Sequence, residues 1–185
     1  MVINKNEILN NISKYSKEFS EGDDRLEKVL KKLWTNGFET IGCCKGHDEY
    51  EKQYIGLNRN DNEKIVRLLS LLNKEDISIT FLFNHVAIIK NKNNDIFTNI
   101  LDSIDKINCA STRDEEIAKV IDFIDNNNYD YTNIRFYYYK GKLNKYINTC
   151  DANLINILNK KYKCQKVIKN LNFNNNLPCY CFIIK

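Results

Sequence analysis

Apolar residues recur at helical spacing in six stretches of the chain, and the segments between them are short runs rich in β-branched and aromatic residues. Ile8, Leu9, Ile12, Tyr15 and Phe19 predict a first amphipathic helix over residues 5–19. The EGDD at 21–24 breaks it. Asp24 is placed to cap a second helix carrying Leu26, Val29, Leu30, Leu33 and Trp34, and Gly37 falls where a helix end favours a left-handed residue. A strand through Thr40 and Ile41, a polar loop and a strand from Gln53 to Asn58 follow. Asn60 and Glu63 have capping-box spacing ahead of Ile65, Val66, Leu68, Leu69 and Leu72. Residues 77–83 and 86–90 then read as a hairpin turning at Asn84 and His85.

Further on, Ile96, Ile100, Leu101 and Ile104 share one face of a helix from about Asp95 to Ile107, and Thr112 with Glu115 opens another that runs to about Asp125. The strands IRFYYYK and LNKYINT flank a KGK turn, a helix spans Asp151 to Tyr162, and CQKVIKNLNF leads to a closing strand, PCYCFIIK. The fold class is therefore α+β, and a single domain over residues 1–185 is expected. The order helix, strand, strand, helix, strand, strand occurs twice, over 24–90 and 113–185, after the N-terminal helix 5–19; the residues themselves do not align. Two such halves would share one sheet or pack sheet on sheet, with helices on the opposite faces.

Composition narrows the class of protein more than its activity. A 43% apolar and 28% charged chain of 185 residues can bury a core, and it has no apolar run long enough to span a membrane. Its first residues, MVINKNEILNNISKYSKEF, lack the apolar centre and cleavage site of an export signal, so a cytoplasmic location is expected. Seven cysteines are then expected as reduced thiols, with Cys109, Cys150 and Cys164 filling the core as small hydrophobes. A formal charge of +4 permits an anionic small molecule or a nucleic acid without demanding either. Abundant Asn, Lys and Ile with a single Pro fit the codon usage of a low-GC bacterium or its phage.

Chemistry concentrates where the first strand ends. Cys43, Cys44, Lys45, Gly46 and His47 put two thiols, an amine, a flexible joint and an imidazole within five residues. Three readings of this corner stand side by side. In the first, Cys44 is a thiol nucleophile activated by Lys45 or His47, with Cys44 and His47 as the catalytic pair. In the second, Gly46 lets backbone N–H groups approach a ligand while Cys43, Lys45, His47 and the nearby Tyr54 complete the contact. In the third, Cys44 and His47 begin a zinc site that needs Cys179, Cys181 or His85 to complete it. Against all three, Gly46 can simply make a turn over two core cysteines. Asp48, Glu49 and Glu51 read as a solvated loop face and Trp34 as core.

The segment 24–58, with TIGCCKGH ahead of YIGL, resembles the start of the wybutosine-synthesis methyltransferase family, whose motif reads approximately S-x-S-C-S-G-R before a strand. Thr40, Cys44 and Gly46 fall on matching or similar positions; Gly42, Cys43, Lys45 and His47 differ. The resemblance implies a tRNA substrate and methyl transfer. The same residues resemble uncharacterised bacterial and phage proteins with a T-x-x-[SC]-C-x-G-H pattern, a likeness that includes His47 and implies no activity.

The hairpin at 134–147 is a second candidate surface. Alternation sets Arg135, Tyr137 and Tyr139 on one face, with Lys140, Lys142 and Lys145 at or near the turn, a mixture that stacks bases and holds phosphates when exposed and is an ordinary strand when not. Taken together, these features predict binding, and conceivable modification, of a nucleotide-like or other anionic small molecule or of nucleic acid beside the Cys-Cys-Lys-Gly-His corner. The alternatives are a non-catalytic factor of phage or mobile-element origin that acts on a host protein, and a zinc-stabilised structural domain.

Overall fold

The computed structural model describes residues 5–47, 53–72, 77–82, 86–91, 96–107, 115–129, 133–139, 142–161, 164–171 and 178–184. The first predicted helix is interrupted at Asn11, whose backbone (φ −135°, ψ 40°) leaves the helical region and separates α1 (Lys5–Asn10) from α2 (Ile12–Phe19). Helix α3 (Asp24–Thr35) is capped one residue earlier than expected: the Asp23 carboxylate accepts from the N–H groups of Arg25 at 2.8 Å and Leu26 at 3.0 Å. At its far end Gly37, with φ 75°, lets the Phe38 N–H reach back to the Leu33 carbonyl at 2.9 Å. That reversal delivers the chain into β1 (Thr40–Cys44), which pairs with β2 (Tyr54–Asn58).

Helix α4 (Asn62–Leu72) is likewise capped by a neighbour of the expected residue, Asp61, which accepts from the Lys64 N–H at 2.9 Å. Strands β3 (Ile77–Leu82) and β4 (Val86–Asn91) form the predicted hairpin. Helix α5 (Ile96–Ser103) tightens into a 3₁₀ turn at Ile104–Lys106, and α6 (Glu115–Asn126) ends the connection. Strands β5 (Asn133–Tyr139) and β6 (Lys142–Thr149), helix α7 (Ala152–Lys161), and strands β7 (Cys164–Leu171) and β8 (Pro178–Ile184) complete the chain. At the β6–α7 corner the Thr149 hydroxyl accepts from the Asp151 N–H, and Asp151 in turn caps α7 through the Asn153 N–H.

The architecture is α+β, and the eight strands make one antiparallel sheet in the order β1-β2-β4-β3-β5-β6-β8-β7. Each group of four strands follows the same internal order, first, second, fourth, third, and β3 joins the groups by pairing with β5. Strand alternation decides what each face carries. Ile55, Leu57, Ile79, Phe81, Ile89, Ile134 and Ile147 are fully buried and meet the helices. Contacts run α2 to α3, α3 to α5, α5 to α4 and α4 to α6, and Lys161 of α7 lies over the Phe123 ring of α6. The described helices therefore form one layer on one face of the sheet, not cover on both faces. On the opposite face Tyr54, Asn58, Ser78, Thr80, Leu82, Tyr146 and Asn148 are only half-buried. No helix of the described residues is long and apolar enough to cross a membrane.

One charged side chain is sealed inside this arrangement. The Arg59 side chain is fully buried; it donates to Asn62 Oδ1 at 3.1 Å and the Leu82 carbonyl at 3.0 Å, pairs with the Asp125 carboxylate, and lies 5.1 Å from the Phe81 ring centroid. Removing the carboxylate would take the Asp125 partner from a fully buried guanidinium. Asp125→Ala should therefore lower stability by about 3–5 kcal/mol, whereas Glu63→Ala, which breaks the exposed pair with Arg67, should cost about 0.5 kcal/mol or less. Urea unfolding of the two variants checks the difference, and equal midpoints would contradict it.

Candidate functional site

Strand β1 lies at one edge of the sheet, and successive residues of it turn to opposite faces. Cys43 pairs in register with buried Ile55, so its thiol points toward the helices and donates to the Phe19 carbonyl at 3.7 Å. Cys44 pairs with Tyr54 on the helix-free face. The two thiols are thus separated by the sheet itself, although adjacent in sequence. A register irregularity between Thr40 and Gly42 throws Ile41 out of the ladder and leaves it 54% exposed. Beneath it, a Cβ added at Gly56 would stand 3.2 Å from Ile41 Cγ1 and 3.3 Å from the Gly42 carbonyl, so the two glycines allow a close approach that a side chain would obstruct.

The cysteines differ in environment as well as direction. Burial, then the Glu21 carboxylate, then Cys44 push the Cys43 thiol up to about 11 from its ordinary 9.0, so Cys43 stays protonated at neutral pH. That is the reverse of what a nucleophile needs. The Cys44 sulfur accepts the Gly46 N–H at 3.3 Å, a turn made accessible by Gly46 at φ 79°.

Lys45 and His47, expected to face a ligand or activate a thiol, both reach toward Glu21. The Lys45 ammonium donates to the Glu21 carbonyl at 3.0 Å, and His47 Nε2 is 3.7 Å from the Glu21 carboxylate. Each partner in the second contact is at least half exposed. Glu21 itself adopts φ 50°, followed by Gly22 at φ 80°, a left-handed turn that brings the α2–α3 connection against the corner. The sequence marks this only as a break at EGDD, with no cue that Glu21 would meet residues 45 and 47.

The zinc expectation is corrected for Cys179 and Cys181. Both are on β8, six places from β1 in the sheet order, which at about 4.8 Å per strand is about 29 Å from Cys44. Among the described residues no group of three or more His, Cys, Asp or Glu is disposed to hold a metal. His85, Asp48, Glu49, Glu51, Cys109 and Lys140 lie outside the described residues. Cys150 is exposed, not core, because it follows the last in-facing residue of β6, Thr149. The side chain of Cys164 is outside the description; Trp34 is core, 3% exposed, and its indole N–H donates to Thr40 Oγ1 at 2.9 Å.

Register brings the second candidate surface onto the face that carries Cys44. One cross-strand row runs Cys44, Tyr54, Lys90, Ser78, Tyr137, Asn144; the next runs Gly42, Gly56, Ile88, Thr80, Arg135, Tyr146. Tyr139 and Lys142 are paired one step beyond Tyr137. Tyr54, Arg135, Tyr137 and Tyr139, drawn from two distant parts of the sequence, thus occupy positions of a single helix-free face. Tyr54 and Tyr137 are three strands apart, about 14 Å.

On the other side of β1 a cleft of about 570 Å³ opens between the sheet edge and the N-terminal helices; Cys43, Ile41, Phe19, Glu18 and Glu21 are among its walls. Compared with protein-family models, curated proteins and solved structures, the chain has no significant match.

At pH 8 a thiol with a pKa of about 11 is ionised to only about one part in a thousand, so alkylation and peptide mapping should find Cys150 modified well before Cys43. The raised value also fixes a sign. The stabilising contribution is complete below about pH 9 and is lost as pH rises through about 11, so Cys43→Ala should flatten the alkaline limb of the stability profile.

Proposed function

We propose that the chain binds single-stranded nucleic acid across the helix-free face of its sheet, beside the Cys-Cys-Lys-Gly-His corner. The observation that carries this reading is the cross-strand register, which gathers Tyr54, Tyr137, Tyr139 and Tyr146 with Lys90, Arg135 and Lys142 on one face. Aromatic rings accept the π-face of any base, and interspersed cations meet the phosphates between them. An antiparallel sheet with all described helices on one side leaves such a platform open without further rearrangement. The net charge of +4 is of the right sign.

The corner then serves as the margin of the platform. Lys45 and His47 reach toward Glu21 and orient the loop, and Cys44 with Tyr54 begins the first row of the surface. The likeness to wybutosine-synthesis methyltransferases at Thr40, Cys44 and Gly46 directs the same reading toward RNA. No modification step is assigned. Lys45 donates to the Glu21 carbonyl, His47 stands 3.7 Å from the Glu21 carboxylate and the Cys44 sulfur accepts the Gly46 N–H, whereas covalent chemistry at Cys44 would need a base hydrogen-bonded to its sulfur.

Fluorescence anisotropy with a labelled oligouridine of about ten nucleotides, and its DNA counterpart, tests the proposal. Binding should weaken steeply with salt. Tyr137→Ala should weaken it by about 1–3 kcal/mol, roughly 5- to 150-fold, and Arg135→Ala should reduce both affinity and salt dependence. Absence of binding at low salt, or binding indifferent to both substitutions in folded protein, would overturn the reading.

A further inference from the structure

Among the described residues no strand lies on the outer side of β1, which leaves it an edge strand. The 570 Å³ cleft is walled by Thr40, Ile41, Gly42 and Cys43, four consecutive residues of that strand. Thr40 and Cys43 turn toward the helices, Ile41 is thrown out of the ladder and Gly42 turns to the other face, so the cleft reaches round the edge of the strand. Its volume lies within the range of ligand-binding clefts, about 300–1,000 Å³. The facing wall is helical, with Ile8 from α1 and Phe19 from α2.

Exposure follows the same groove. The large apolar side chains that remain exposed among the described residues are Leu9, Phe19 and Ile41. Phe19 and Ile41 line the cleft, and Leu9 adjoins Ile8 on α1. The groove is also electrically distinct from the protein around it. Glu18 and Glu21 line it and, among the described residues, no lysine or arginine does, in a chain with 28 basic residues. Lys45 and His47 approach Glu21 from the loop side, whereas Glu18 has no ion-pair partner among the described residues.

We infer that this groove takes an extended, positively charged peptide segment of a partner protein as a ninth strand on β1. Main-chain hydrogen bonds along the edge would supply affinity, and alternate side chains would supply specificity. Apolar positions of the segment pack against Phe19 and Ile41, and a lysine or arginine lays its stem along the same surface with its head at Glu18. A second copy of the chain pairing edge to edge fits less well. Residues 40–44 are Thr, Ile, Gly, Cys and Cys, and the cation that follows them, Lys45, is already bonded to the Glu21 carbonyl of its own chain. The inference concerns the sheet's edge and is independent of the nucleic-acid reading of its face.

A random-peptide display selection on the immobilised full chain tests it, with Ile41→Lys and Glu18→Lys as variants; both residues are exposed, so both changes leave the core intact. Enriched peptides should alternate apolar and basic residues. The tightest of them should protect residues 40–44 from hydrogen exchange, and each substitution should weaken its binding at least about tenfold while oligouridine binding is unchanged. Enrichment of acidic peptides or none would overturn the inference. So would protection elsewhere, binding indifferent to both variants, or a concentration-dependent dimer that protects the same edge.

Discussion

The Arg59 guanidinium is the constraint on which the arrangement depends. It stands just after β2 and binds the start of α4 through Asn62, the end of β3 through the Leu82 carbonyl, and the last turn of α6 through Asp125, while its plane lies near the Phe81 ring. These contacts meet where β3 passes its sheet edge to β5, the join between the two groups of four strands. A charge held at no exposure restricts the geometry around it, because a shift that loses Asp125 takes a charged partner from a buried guanidinium. Hydrophobic burial alone is less selective: Ile79, Phe81 and Ile134 would bury comparable area in a neighbouring register that kept the alternation. The ion pair supplies the specificity that area does not.

Fixing the β3–β5 join has a consequence at a distance. It extends the sheet to eight strands with the helices held in one layer by their own contacts, α2 on α3, α3 on α5, α5 on α4 and α4 on α6. The sheet gains two surfaces of different character. One is buried and aliphatic, built from in-facing isoleucines and leucines. The other collects tyrosines, asparagines and cations whose positions come from β2, β4, β5 and β6. Because rows cross the join, neither group of four strands carries the complete aromatic and basic set.

Local features were legible in the chain and long-range ones were not. Helical periodicity located α3 and α5, since Leu26, Val29, Leu30 and Leu33, or Ile96, Ile100 and Ile104, bury one stripe each. The caps were misread by one residue at Asp23 and Asp61 because neighbouring Asp and Asn side chains have the same chemistry, and only backbone geometry chooses among them. The break at Asn11 was invisible for a related reason: the apolar stripe continues through it. At the corner, strand alternation already implied that Cys43 and Cys44 face apart. Strand order beyond the pairing of β3 with β4 and of β5 with β6 could not be read. The distance of Cys179 and Cys181 from Cys44, the convergence of Tyr54 with Tyr137, and the contact of Glu21 with residues 45 and 47 all follow from non-local pairing.

The position of β1 gives the corner its importance. A central strand has two neighbours and two faces, and its backbone is spent; an edge strand keeps one side of its backbone available. Here the strand's faces are also unlike, with Cys43 held under α2 and Cys44 beside Tyr54 on the open side. The bulge at Ile41 makes this edge irregular, and the paired glycines 42 and 56 let β1 pack closely on β2. Glu21, in its left-handed turn, then ties the mouth of the groove to the loop that ends the strand. Ligand contact at the edge and ligand contact on the face would therefore act on one short strand. Their separation rests on the alternation of its side chains.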